Sequence, residues 1–159
     1  MVPVSGGGLI SGIAAAVKAI KPTCRIIAAE PAGKGLQDAL SSSTRVVDPE
    51  AADRALDTIA DAIRTRAFGL TPWAVAEYLL ESTVLAVDDT QIRSAMLEIA
   101  TELKQVVEPA GAVAFAAVRT AEFGRLCKQH GLKNVGVVVC GGNVDPDHFA
   151  NLVLSARAC

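Results

Sequence analysis

The sequence predicts an α/β chain with a mostly parallel, open sheet and flanking helices. Three observations carry that expectation. Short strand-like runs at Val2-Pro3-Val4, Arg25–Ala29, Ser82–Val87 and Val135–Val139 alternate with longer helical patterns. Two of these runs end in glycine turns, Ser5-Gly6-Gly7-Gly8 and Cys140-Gly141-Gly142-Asn143. Several of the helical stretches are Ala-rich and apolar nearly all round, as helices packed on a sheet are.

The elements follow in chain order. Val2-Pro3-Val4 reads as a strand, the Ser5–Gly8 stretch as a turn, and residues 9–21 as a helix. Lys18 and Lys21 stand in its last turns, where cations suit the helix dipole, and Pro22 ends it. Arg25–Ala29 is the next strand, closed by Glu30-Pro31, so residues 2–30 form one βαβ unit with parallel pairing and a right-handed crossover expected. A short helix is expected near Leu36–Ser41. Residues 41–45 and 48–53 read as loop, with Asp48-Pro49 a turn or helix start, and residues 51–66 have a helical composition. Thr71 is expected to cap a helix that has Pro72 in its first position and runs to about Leu80. Ser82–Val87 is a strand, and Asp88-Asp89-Thr90 caps the helix after it. Ile92, Met96, Ile99, Leu103 and Val106 recur at steps of 4, 3, 4 and 3, one helical stripe. After a break at Glu108-Pro109, residues 110–123 read as one buried helix, and Gly131 closes the segment. Val135–Val139 is a continuous apolar strand leading into the Cys140 turn and a short final helix.

Composition bounds the function. The 159 residues are 51% hydrophobic and 20% charged, with net charge −2 and mean hydropathy +0.37. A chain of this length buries roughly 68–70% of its unfolded surface, so residues 1–159 read as one domain, or part of a larger one, with a real core. A disordered tail is excluded. Near-neutral charge without a basic cluster excludes nucleic acid as the main partner. An aromatic content of 4% leaves no stacking platform or carbohydrate cleft. The longest apolar stretch is broken by Ser11, Gly12 and Lys18, short of the roughly 20 residues of a membrane span, and no secretory signal pattern is read. Cys24, Cys127, Cys140 and Cys159 contain no C-x-x-C pair, so neither zinc nor a disulfide framework is expected, and a reducing cytoplasm is. Cys24, Cys127 and Cys159 read as small packing residues.

The first glycine turn lies between a strand and a helix start. Its backbone N–H groups and the positive helix end together suit a phosphate. A P-loop is excluded, because Leu9 follows Gly8 where Lys is needed. The dinucleotide fingerprint is damaged: position 11 is Ser, and Gly12 comes one residue late. Glu30, however, stands 22 residues past Gly8, where a ribose-binding acid would be, so a Rossmann-like nucleotide module using Ser5–Gly8 and Glu30 stays open. Both glycine turns sit at carboxyl ends of strands and are expected to face one crevice.

Taken together, VPVSGGGLISGIA, AAEP, TIAD, GLTPW, VEPAGAVA and VVVCGGN resemble, in order, the fold-type II pyridoxal-phosphate enzymes, and among them the serine/threonine dehydratase and serine racemase group. The resemblance runs over essentially the whole chain and implies the C-terminal part of a tryptophan-synthase-beta-like fold. It implies pyridoxal 5′-phosphate as cofactor, with Ser5, Gly6, Gly7, Gly8 and Leu9 forming the phosphate loop. Ser5 replaces a usual first Gly, which requires a negative φ there. It implies that Cys140 bonds the pyridine nitrogen as a neutral thiol and that Glu108 lies close to the ring. Ala62 falls where a Gly usually approaches the ring. Glu30 matches one ligand of a divalent-cation site for Mg²⁺ or Ca²⁺; the carboxylate expected six residues later falls on Leu36, and Asp38 is a weak substitute.

The family's catalytic lysine belongs to a segment ahead of the phosphate loop, and no lysine here (18, 21, 34, 104, 128, 133) matches it. The chain is therefore expected to be the C-terminal portion of an L-serine or L-threonine ammonia-lyase or a serine racemase, with no catalytic residue of its own. It would be inactive alone, need an N-terminal half, and homodimerise when complete.

Overall fold

A computed structural model describes residues 1–45, 50 and 54–156. Three parallel strands, β1 (Val2–Pro3), β2 (Ala28–Pro31) and β3 (Val84–Val87), lie in the order β1-β2-β3. Val2 is in register with Ala28, and Ala28 with Val84. The helices are α1 (Gly8–Ile20), α2 (Leu36–Ser41), α3 (Leu70–Leu79), α4 (Asp89–Glu98), α5 (Pro109–Val118), α6 (Ala121–His130) and α7 (Pro146–Ser155). The expected α/β class with an open parallel sheet is the observed one.

Strand alternation assigns the two faces. Ala28 and Val84 join Val2, Val4, Ile10, Ala14, Phe68 and Trp73 in one core, beneath α1 and α3. Ala29, Leu85 and Val87 turn the other way and pack with Ile92, Met96, Val113 and Ala117 from α4 and α5. Helix α5 is buried along almost its whole length, from Pro109 to Ala117, which its Ala and Gly content permits. Among the described residues, no helix is long and apolar enough to cross a membrane.

Several local expectations give way to tertiary context. The β2 and β3 strands begin at Ala28 and Val84, later than the apolar runs that announce them. Helix α3 is capped by Gly69 rather than Thr71, and Trp73 N–H bonds the Gly69 carbonyl at 3.0 Å. Pro72 then sits third in the helix, still in the turn whose N–H groups need no helical partner. The stripe from Ile92 to Val106 stops at Ile99. A π turn over Ile99–Leu103 and a left-handed Lys104 (φ 57°) shift the phase, leaving Leu103 49% and Val106 58% exposed. The helix expected over 110–123 is two helices, because Thr120 accepts Phe123 N–H (3.1 Å) and starts α6 anew.

Helix over 51–66 is not formed in the described part. A 3₁₀ turn at Asp61–Ile63 stands there instead, laced by Arg64 onto the Thr58 carbonyl and by Arg66 onto those of Arg54 and Gly33. The expected loop features at Asp48-Pro49 and residues 51–53 lie outside the described residues, as does Cys159. The run Val135–Val139 is not a regular strand. It is tied at two points to Met1, the residue before β1: Met1 N to Gly136 O (2.8 Å) and Val138 N–H to Met1 O (3.0 Å).

Candidate functional site

Beyond β1 the chain turns through Ser5–Gly7 into α1. Gly7, at φ 91°, is the N-cap, and a Cβ there would stand 2.2 Å from Cδ1 of Phe68. Only glycine fits that backbone and that contact. No side chain caps α1, so its first N–H groups point into the open end of the helix. A Cβ on Gly6 or Gly8 would meet nothing within 4 Å, so the loop borders free space. The loop is pinned from below: Gly69 N–H bonds Gly6 O (3.0 Å), and Ser11 Oγ donates to Pro72 O (2.9 Å). Among the described residues only Ser43 and Lys104 combine positive φ with a side chain, so Ser5 meets the condition set for it. Its Oγ lies 3.3 Å from Thr65 Oγ1 and donates to Ala62 O at 3.5 Å.

The second turn reaches the same place from the other side of the sheet. Glu108 is the N-cap of α5, and its N–H donates to Gly141 O (2.9 Å). A Cβ on Gly111 would fall 1.5 Å from the Cys140 carbonyl oxygen, so α5 and the turn touch through bare backbone. Burial, and then the nearby Glu108 charge, push the half-buried Cys140 thiol up from its ordinary pKa. The sulfur therefore stays a neutral thiol, able to donate one weak hydrogen bond.

One cavity of about 220 Å³ joins the two turns. Ser5 to Leu9, Ala62, Glu108, Cys140 and Gly141 all line it. Two larger cavities, of about 640 and 390 Å³, lie at the amino ends of β1 and β2 and beside α6, and contain neither glycine turn. In a parallel sheet, ligands gather beyond the carboxyl ends of the strands, which favours the smaller cavity. No lysine lines it.

Residues 1–141 match the family described as pyridoxal-phosphate dependent enzyme. The chain belongs to that family. It is 42% identical over 145 residues to the serine racemase of Oryza sativa subsp. indica, covering 91% of this chain and 41% of that protein. It is 34% identical over 157 residues to the L-threo-3-hydroxyaspartate ammonia-lyase of Saccharomyces cerevisiae, covering 96% and 44%. The solved structure of maize serine racemase superposes with a TM-score of 0.82 at 38% identity, covering 99% of this chain and 46% of that one. The chain thus spans less than half the length of these relatives.

Within this family member the Glu30 region departs from expectation. Glu30 is 3% exposed, does not line the cavity, and spends its carboxylate on Leu36 N–H (3.1 and 3.3 Å). It cannot grip a ribose beside the glycine loop, so the nucleotide alternative loses its second anchor. A divalent cation does not fit either. The Leu36 side chain offers no ligand atom, and Asp38 is exposed. Among the described residues no three His, Cys, Asp or Glu side chains gather. Lys34, which the sequence offers only as a lysine unmatched to the catalytic one, is buried four residues after Glu30.

Proposed function

We propose that this chain supplies the phosphate loop and the pyridine-nitrogen partner of a pyridoxal-phosphate-dependent L-serine or L-threonine ammonia-lyase or serine racemase. The observation that carries this reading is the single cavity into which Ser5–Leu9 and Cys140 both open, with Glu108 also in its lining. The uncapped front of α1, open above Gly6 and Gly8, suits a phosphate dianion. When bound, pyridoxal phosphate supplies a ring that withdraws electrons from the substrate's α-carbon.

The chain's own residues orient that group. Main-chain N–H groups at the start of α1 hold its anionic end. The Cys140 thiol holds the heterocyclic nitrogen with one S–H donor. That donor is neutral, so it leaves the nitrogen without the full positive charge a carboxylate partner would favour. Burial, and then the Glu108 charge, keep this state by raising the thiol. Ala62 and Ile63 close the cavity wall.

The proton-transferring lysine is assigned to an N-terminal segment carried by the complete enzyme, which homodimerises. The half-exposed run 135–139, with one side tied to Met1, supports an added neighbour on its other side. Free Cys24, Cys127 and Cys140 support a reducing cytoplasm. The test is titration of the 159-residue chain with pyridoxal phosphate, with inorganic phosphate as competitor. Competitive binding without keto acid formation from L-serine or L-threonine is expected, and co-expression with a lysine-bearing N-terminal half of a relative is expected to restore turnover. Keto acid formation by the chain alone, or binding indifferent to phosphate, refutes the reading.

A further inference from the structure

We propose that the Lys34 ammonium is the resident cation of the Glu30 turn, standing where a divalent ion would otherwise sit, so that this chain neither binds nor needs Mg²⁺ or Ca²⁺ there. Lys34 lies between Gly33 and Gly35 and is 6% exposed. Its Nζ donates to the carbonyl oxygen of Thr65 and, at 3.4 Å, to that of Ile63. Main-chain carbonyls and one carboxylate are the hard oxygen donors that such an ion takes. Here the two carbonyls converge on an ammonium tethered to the chain, with the Glu30 carboxyl group near enough to act on it by charge. Glu30 interacts with it by charge without an ion-pair contact. With Lys34 at about 8, pressed down by burial, the ammonium form persists at neutral pH.

The charges balance only one way. A divalent ion beside Lys34 would face a like charge at short range, with one carboxylate to offset three positive charges. Leu36, two residues on, contributes its main-chain N–H to Glu30, a group that binds anions and not metals. Arg66, whose Nη1 donates to Gly33 O (2.8 Å), adds further positive charge to the same turn.

Lys34 also bears on the cavity indirectly, through backbone next to it. It holds the carbonyls of Ile63 and Thr65, while Ser5 of the glycine loop contacts Ala62 O and Thr65 Oγ1. A tethered cation therefore braces the Ala62–Thr65 wall permanently, where an exchangeable ion would make it dependent on supply.

The test uses the 159-residue chain and thermal melting, independent of cofactor loading and turnover. The wild type is expected to melt within about 1 °C in EDTA, 10 mM MgCl₂ or 10 mM CaCl₂, and to show no heat of Ca²⁺ binding by calorimetry. Lys34→Ala is expected to melt about 5–10 °C lower, since it leaves a carboxylate and two carbonyls without their cation. CaCl₂ is expected to restore part of that loss, and Glu30→Gln to abolish the restoration. A wild-type melting rise with Ca²⁺ or Mg²⁺ that disappears in Glu30→Gln overturns the proposal. So does a Lys34→Ala chain as stable as wild type, or one that no cation restores. Should Lys34→Ala fail to fold, the wild-type calorimetry and the Glu30→Gln melts still decide.

Discussion

Replacing Gly7 by Ala tests the phosphate loop at the position where sequence and packing constrain it together. The backbone there has φ 91°, and the new Cβ would lie 2.2 and 2.3 Å from two ring carbons of Phe68 and 3.0 Å from Pro72 Cβ. Left-handed backbone costs an Ala about 1–2 kcal/mol. Displacing a buried ring adds about 1–3 kcal/mol of overpacking. Phe68 cannot yield freely, because it is buried and stands edge-on to Trp73, ring centroids 5.9 Å apart at 77°. The combined loss is about 2–5 kcal/mol, or about 5–15 °C in melting temperature for a chain of this size. Trp73 is the only tryptophan, so its fluorescence reports unfolding and the shifted ring at once. The movement also carries the first turn of α1, so phosphate affinity should fall at least about tenfold, which is about 1.4 kcal/mol. Gly8→Ala is the stability control, since its Cβ meets nothing within 4 Å; its melting change should stay within about 2 °C. Equal melting and equal phosphate affinity for Gly7→Ala and wild type would refute both the packing argument and the loop assignment.

Three further outcomes follow from named contacts. Glu108→Gln removes the charge that helps raise Cys140, so the pH midpoint of thiol alkylation by iodoacetamide should move down; an unmoved midpoint means Glu108 is not felt at the sulfur. Asp88 accepts Gln91 N–H (2.8 Å) while Gln91 Oε1 accepts Asp88 N–H (2.9 Å), a reciprocal cap on α4. Asp88→Ala should cost about 1 kcal/mol, a melting loss of about 2–4 °C. Stability against urea should vary with pH through the Glu30–Lys34 pair. Glu30 sits at about 7 in the fold against 4.5 ordinarily, so the unfolded chain loses this proton first and stability falls as pH rises from about 4.5 to 7. Lys34 sits at about 8 against 10.5, so the unfolded chain holds its proton longer and stability climbs again from about 8 to 10.5. Glu30→Gln should flatten the acid side of that trough; an unchanged profile would mean the trough arises elsewhere.

The parts legible in the sequence are those fixed by local chemistry. A strand, a triple glycine and an apolar helix announce β1, its loop and α1, because only a bare backbone turns so tightly into a buried helix. The alternation that splits Ala28 from Ala29 across the sheet is likewise written in the order of residues. What was not legible depends on long-range partners. Val135–Val139 has the composition of a strand, but regular pairing needs neighbours, and this run has two bonds to Met1. Leu103 and Val106 continue a helical period that a π turn breaks one residue after Glu98.

Lys34 is the instructive case. Flanked by glycines in a turn after Glu30-Pro31, it has every local mark of an exposed loop lysine. Its burial arises from carbonyls 29 and 31 residues further on, belonging to a segment whose own composition suggested helix rather than the 3₁₀ turn that presents them. Yet a signal was present in the charges. A carboxylate expected at position 36 is replaced by Leu, and a positive charge stands two residues before it. Losing an anion while keeping Glu30 buried leaves room in the charge balance for one cation of single charge, not two. The two differences become one compensated change, rather than a defective metal site, only once the fold buries Glu30 and brings the Ile63 and Thr65 carbonyls to Lys34.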